Sequence, residues 1–208
     1  KDHFPGVPVM LGGLYATLCH EHAVRYSGAD VCIRGEGEAA VLKMVSELTS
    51  RDISLLPDYA DPDSLPYPAF DLLREHDVLC VSTARGCPYK CTYCASSLLS
   101  NGFRARDPLK VLDEISYWVD RYKCKNIAFY DDALLYRAGD RILPLLRGVL
   151  KRGISCNFHA PNGLHARAIT REVAEVMYRA GFKTIRIGLE TEDGGLQMQP
   201  GGTVTNRE

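Results

Sequence analysis

From residue 78 onward the chain alternates short apolar runs with helical patterns, and this alternation limits its fold more than any other feature. "VLCVSTA" reads as a strand, and a helix follows with Leu112, Ile115, Val119 and Tyr122 on one face. Asp107 is placed to cap that helix, with Pro108 at its first position. "NIAFYDD" is a second strand, followed by a helix over 140–152 carrying Ile142, Leu146, Val149 and Leu150 and stopped by Gly153. "SCNFHA" is a third strand. Thr170 caps a helix bearing Val173, Val176, Met177 and Ala180, ended by Gly181, and "TIRIGLE" is a fourth strand. Strands that alternate with helices predict a parallel sheet with right-handed crossovers. A closed eight-fold barrel needs roughly 200 residues or more, so 78–208 is expected to form a partial TIM-type (β/α) barrel of about four units. Its last strand would leave an open edge, which makes the isolated piece marginal.

Residues 1–50 repeat the alternation on a smaller scale. "VPVML" runs into Gly12-Gly13, "ADVCIRGEGE" brings a second apolar run, and Val41, Leu42, Val45 and Leu48 recur at helical spacing. Residues 51–77 break the rhythm. "LPDYADPDSLPYPAFDLL" holds four prolines and four aspartates, the mark of a linker. Its Tyr59, Tyr67 and Phe70 predict a linker packed on a surface. The chain does not open on methionine and reads as a piece of something longer.

Net charge is −1, without a long run of either sign. That gives no nucleic-acid signal, since such binders carry a basic surplus. There is no signal peptide pattern and no apolar run near 18 residues, so the expected setting is the reducing cytoplasm, away from the membrane. Eight cysteines could suggest a disulfide framework. Five of them, Cys19, Cys32, Cys80, Cys124 and Cys156, are scattered through apolar stretches and read as buried free thiols.

The other three are concentrated. "RGCPYKCTYC" spaces Cys87, Cys91 and Cys94 as Cys-x3-Cys-x2-Cys. Structural zinc wants four ligands, usually as two separated pairs, and no second pair follows. Spacing alone leaves zinc and iron-sulfur both open. Position adds information: the loop follows the first strand of a parallel array, where active sites collect. Three thiolates leave one iron of a four-iron cluster open, as catalysis requires and structural sites avoid.

On these residues the chain resembles the radical S-adenosylmethionine (radical SAM) superfamily, over roughly 78–195 and including Tyr93 before the last cysteine, "PNGLHA" and "IRIGLET". The resemblance implies that Cys87, Cys91 and Cys94 hold a 4Fe-4S cluster whose fourth iron is chelated by S-adenosylmethionine. Reductive cleavage would release a 5'-deoxyadenosyl radical that abstracts hydrogen from a substrate. It further implies that Asp131 and Asp132 receive the SAM amino group, that Glu190 bonds the ribose hydroxyls and that Tyr93 lies near the adenine. "YDD" lacks the glycines of the commonest version of that motif. An electron would come from a reducing partner such as a flavodoxin or ferredoxin. The substrate, a small molecule or a modified macromolecule, is not specified.

Residues 1–50 resemble the C-terminal end of a Rossmann-like, cobalamin-binding-type domain. Gly12 and Gly13 then correspond to the glycine pair under the cofactor's nucleotide tail, and "RGEGE" is typical of radical SAM proteins with this domain. The axial-ligand motif Asp-x-His-x-x-Gly is absent, because "DHFPG" has the wrong spacing. The expected whole is therefore an α/β chain whose cofactors are a 4Fe-4S cluster, SAM and, by this subgroup's pattern, cobalamin. The rival reading is a non-catalytic module holding structural zinc or an electron-transfer iron-sulfur centre. It would need a fourth ligand such as Cys80, expected too deep on its strand, or Cys124. His159, alternating with Asn157 on the third strand, reads as a satisfied histidine, and Arg104 and Arg106 as candidates to meet a carboxylate or phosphate.

Overall fold

The computed structural model describes residues 3, 5–53 and 60–197; Tyr59 and the tail from 198 lie outside them. The N-terminal unit consists of β1 (Met10–Leu11), α1 (Gly13–Leu18), α2 (His20–Tyr26), β2 (Val31–Cys32) and α3 (Glu38–Thr49). β1 and β2 pair in parallel, Met10 opposite Val31. The apolar stripe of α3 buries none of its residues.

The larger unit is a four-stranded parallel sheet in the order β3 (Val78–Val81), β6 (Asn126–Phe129), β7 (Asn157–Leu164) and β8 (Phe182–Ile187). Helices α5 (Pro108–Tyr122), α6 (Ile142–Arg152) and α7 (Arg171–Ala180) connect these strands. Each connector begins or ends as its sequence dictates. Asp107 accepts from the Leu109 amide at 2.8 Å with Pro108 behind it, and Thr170 accepts from the Val173 amide at 3.2 Å. Gly153 and Gly181 close α6 and α7 in the left-handed conformation.

Strand alternation decides what the sheet buries. Leu79 and Val81, Ile127 and Phe129, and Phe158 and Ala160 point to one face and form the core with Ile115, Ile142, Leu146, Val149 and Val173 from the helices. The opposite face carries a polar ladder. The Asn126 side-chain oxygen accepts from Asn157 at 3.2 Å and from His159 Nε2 at 3.1 Å, while His159 Nδ1 faces the Thr184 hydroxyl at 3.1 Å. Both nitrogens of His159 are thereby satisfied. β8 forms one edge, and Ile185 and Ile187 there are about half exposed, 47% and 51%.

The proline-rich stretch lies along the β3 side of the sheet. Pro62, Leu65, Pro66 and Pro68 share a cavity of about 230 Å³ with Cys80 and Ser82. Tyr67 and Phe70 pack on Trp118 of α5, with ring centroids 6.1 and 5.0 Å apart, and His76 stacks on Tyr122 at 3.7 Å.

Two short strands that sequence periodicity does not announce are β4 (Ala84–Arg85) and β5 (Arg104–Ala105), an antiparallel pair. Between them lies the cysteine loop with α4 (Ser96–Leu99). "RGEGE" grips this pair. Glu36 is ion-paired with Arg104 and lies 3.6 Å from Arg85, and Glu38 is ion-paired with Arg85. On the other side Arg106 meets Asp63 at 3.0 Å and the buried Glu114 at 2.6 Å. Arg104 and Arg106 thus both meet carboxylates. The arginine Arg85 holds the Glu38 carboxyl below its ordinary value of 4.5. Stability from this group is therefore fully present above 4.5 and is lost as pH falls through its lower folded value. Glu38→Gln should cost about 1 kcal/mol or less in urea unfolding, and the difference from the parent chain should narrow as the solution is acidified below 4.5.

Candidate functional site

In a parallel sheet every strand delivers its following loop to the same edge. The loop after β3 carries Cys87, Cys91 and Cys94; Asp131 and Asp132 follow β6; Asn162 and His165 close β7; Glu190 follows β8.

The neck of the cysteine loop is fixed sterically. Gly86 sits at φ +73°, and a Cβ there would collide with the Gly102 carbonyl oxygen and the Ser100 hydroxyl. Only glycine allows the two arms this close. Within the loop the Cys94 amide donates to the Cys91 carbonyl at 3.0 Å, and the Ser96 amide donates to the Cys94 sulfur at 3.4 Å. All three thiols are free of disulfides. Burial pushes the Cys87 thiol up, with smaller contributions from Asp132, Cys91 and Cys94. Among the described residues no three His, Cys, Asp or Glu side chains converge on one point as a single ion requires. A four-iron cube gives each thiolate its own iron, so its ligands surround the cube without meeting. Free thiols on one loop, within electrostatic reach of one another and with a backbone donor on sulfur, suit such a group.

The two aspartates have different environments. Asp131 is 3% exposed. Its carboxylate accepts from the Thr83 amide at 2.9 Å, from the Thr83 hydroxyl at 2.6 Å and from Arg141 at 3.4 Å. Burial pushes this carboxyl up, opposed by the Thr83 donors and Arg141. Its side chain is turned into the fold, which runs against the expectation that both carboxylates face a ligand. The cause is alternation: Asp131 is in phase with Ile127 and Phe129, on the helix-packed face. Asp132 is exposed, near enough to raise the Cys87 thiol, and desolvation raises its own carboxyl.

Tyr93 and Glu190, distant in sequence, come together. The Tyr93 phenol lies beside the Glu190 carboxylate and the Cys91 thiol, near enough for both to act on its titration. Desolvation first, then Cys91 and Glu190, push the phenol up to about 12. Glu190 has φ +64°, rare for a residue with a side chain, and folds back over Gly188. Gly12 and Gly13, at the start of α1, have open space where a Cβ would stand.

The sequence reading missed the wall behind the loop. Arg141, 5% exposed, donates to the Thr83 hydroxyl at 2.7 Å and to the Tyr136 carbonyl at 2.8 Å. Its guanidinium lies 4.8 Å from the Phe103 ring centroid. Phe103 meets Tyr136, Tyr136 meets Tyr89 inside the cysteine loop, and Tyr89 stacks on His165 at 3.9 Å. Aromatics interleaved with the cysteines were the available signal. Cys80, expected deep, is exposed; of the five scattered cysteines only Cys124 is buried.

Gly86→Ala should displace one arm of the neck and destabilise the chain by about 2 kcal/mol or more, combining left-handed strain with a backbone clash. Protease cleavage between residues 86 and 102 should rise in parallel; an unchanged pattern would disprove the neck.

A relative named as an uncharacterized methyltransferase, from Pyrococcus horikoshii, is 25% identical over 92% of this chain and 47% of its own length. An anaerobic magnesium-protoporphyrin IX monomethyl ester cyclase of Rubrivivax gelatinosus is 26% identical over 59% of this chain and 28% of its own length. The fold matches that of TsrM from Kitasatospora setae, a radical S-adenosylmethionine methyltransferase solved with cobalamin and a 4Fe-4S cluster. The TM-score is 0.72 at 14% identity, over 96% of this chain and 45% of that one. The chain therefore spans about half the length of these methyltransferases. The family model described as the radical SAM superfamily matches residues 81–203, from the end of β3 through the cysteine loop and beyond β8, and the chain belongs to that superfamily.

Proposed function

We propose that this chain is the cofactor-holding part of a cobalamin-dependent radical SAM methyltransferase. The observation that carries the reading is the common strand-end edge on which the three loop thiols, Asp132 and the Tyr93–Glu190 pair lie. When bound, a 4Fe-4S cluster and SAM supply one-electron cleavage of the sulfonium. Cys87, Cys91 and Cys94 would hold three irons. Asp132 would accept hydrogen bonds from the SAM amino group, a charge-assisted contact. Tyr93 stays a neutral donor through the physiological range, since its phenol is pushed up to about 12. It would keep Glu190 turned toward the ligand's ribose. Asp131 is a positioning residue, holding Thr83 and, through Arg141, the aromatic wall against which Tyr89 rests.

Methyl transfer is favoured over cyclisation by coverage. The methyltransferase relative aligns with 92% of the chain, whereas the cyclase aligns with 59%. Gly12 and Gly13 would lie beneath the cobalamin nucleotide tail. The electron would come from a reducing protein of the flavodoxin or ferredoxin kind, and the substrate would be a small molecule or a modified macromolecule. Among the described residues no helix is long and apolar enough to cross a membrane.

Anaerobic reconstitution with iron and sulfide should load about four irons per chain. The paramagnetic resonance spectrum of the reduced protein should change when SAM is added. Cys91→Ala should lose the iron; full iron content in that variant, or a cluster blind to SAM, would overturn the assignment. Asp132→Ala should keep its iron but weaken SAM binding about tenfold or more, as loss of a charged hydrogen bond does. Equal SAM affinity in calorimetry would remove Asp132 from the site.

A further inference from the structure

Cys124 and Cys156 lie at the other end of the sheet from the cysteine loop. β6 and β7 are parallel neighbours with Asn126 opposite Asn157, and the Asn157 amide donates to the Lys125 carbonyl at 2.8 Å. The two cysteines therefore sit side by side just before the strands begin. Their thiols lie close enough to shift each other's titration, and Cys156 Sγ lies 3.8 Å from the Cys124 carbonyl oxygen and 3.6 Å from the Asn157 carbonyl oxygen. Neither is in a disulfide.

Both thiols line a cleft of about 640 Å³ together with Lys123, Lys125, Arg179 and Lys183. Cys156 is half-buried and within reach of a solute, while Cys124 is buried behind it. The coupling to Cys156 holds the Cys124 thiol below its ordinary value and holds the second deprotonation back, so the pair shares one proton as a unit. Lysine and arginine lining a cleft draw anions.

We propose that Cys124 and Cys156 form a redox-active dithiol that exchanges with a small anionic disulfide of the glutathione class held in this basic cleft. The proton that the pair shares passes to Cys124, and the Cys156 thiolate, the one a solute can reach, attacks one sulfur of the disulfide; a mixed disulfide forms and one thiolate leaves, taking a proton from water. Cys124 then loses its proton and attacks the Cys156 sulfur, forming the internal disulfide and releasing the second thiol. Two protein thiols are oxidised and one disulfide is reduced to two thiols, with no other reactant. The new bond ties the start of β6 to the start of β7, far from the cysteine loop.

The test is anaerobic incubation of the whole chain with graded ratios of reduced to oxidised glutathione, followed by acid quenching, alkylation and mass-spectrometric peptide mapping. A Cys124–Cys156 link should form in the parent chain. In Cys124→Ser a glutathione adduct should accumulate on Cys156. Neutral hydroxyethyl disulfide should react at least about tenfold more slowly than oxidised glutathione at low salt, with the gap closing at high salt. If Cys156 stays open to alkylation while exposed Cys19 or Cys80 carries glutathione, the proposal fails. It fails equally if a Cys156 adduct in the parent chain is never resolved, and equal rates for the two disulfides would remove the anion site. None of these readings depends on iron, SAM or the cysteine loop.

Discussion

The Asp131 carboxylate is the contact on which the functional edge depends. Beyond a strand end no ladder partner fixes the course of the backbone. Here the amide and hydroxyl of Thr83, just past β3, both donate to a side chain just past β6. Removing this carboxylate from water is costly, and it is tolerable because three donors surround it, Arg141 among them. The same arginine continues into Phe103, Tyr136 and Tyr89. A single desolvated charge therefore determines where the cysteine loop leaves the sheet.

Much of this architecture is legible in the residues. The four strands and three connecting helices follow from apolar period and from caps that can be named in advance: Asp107, Thr170, Gly153 and Gly181. The cysteine spacing, with its position after the first strand, points to the chemistry. The roles within "YDD" are less visible, although the rule that decides them is simple. Counting by twos from Ile127 and Phe129 places Asp131 on the helix-packed face and leaves Asp132 on the other. Period-two reasoning is usually confined to the apolar residues of a strand, and here it has to be carried past the strand end.

Other features depend on contacts that no local pattern encodes. β4 and β5 contribute two residues each, too few for any periodicity, and they pair across the whole cysteine loop. Tyr93 and Glu190 are brought together by the sheet and have no signature at their separation in sequence. Cys80 looks interior because its strand is apolar, yet it occupies the face that the helices do not cover. His159 is a satisfied histidine, as its place on the third strand suggests, but its partners Asn126 and Thr184 belong to the two flanking strands and are identified only in the fold.

The carboxylates of "RGEGE" bind the N-terminal unit to the arms of the loop that carries the thiols. The two units are consequently not interchangeable parts. A chimera that took its N-terminal unit from a relative lacking Glu36 and Glu38 would leave Arg85 and Arg104 half-buried without counter-charges at the base of the loop. Recombination would be tolerated only where the acidic and basic halves travel together. The seam between the units is thus a specificity element, matching a particular N-terminal unit to a particular cysteine loop.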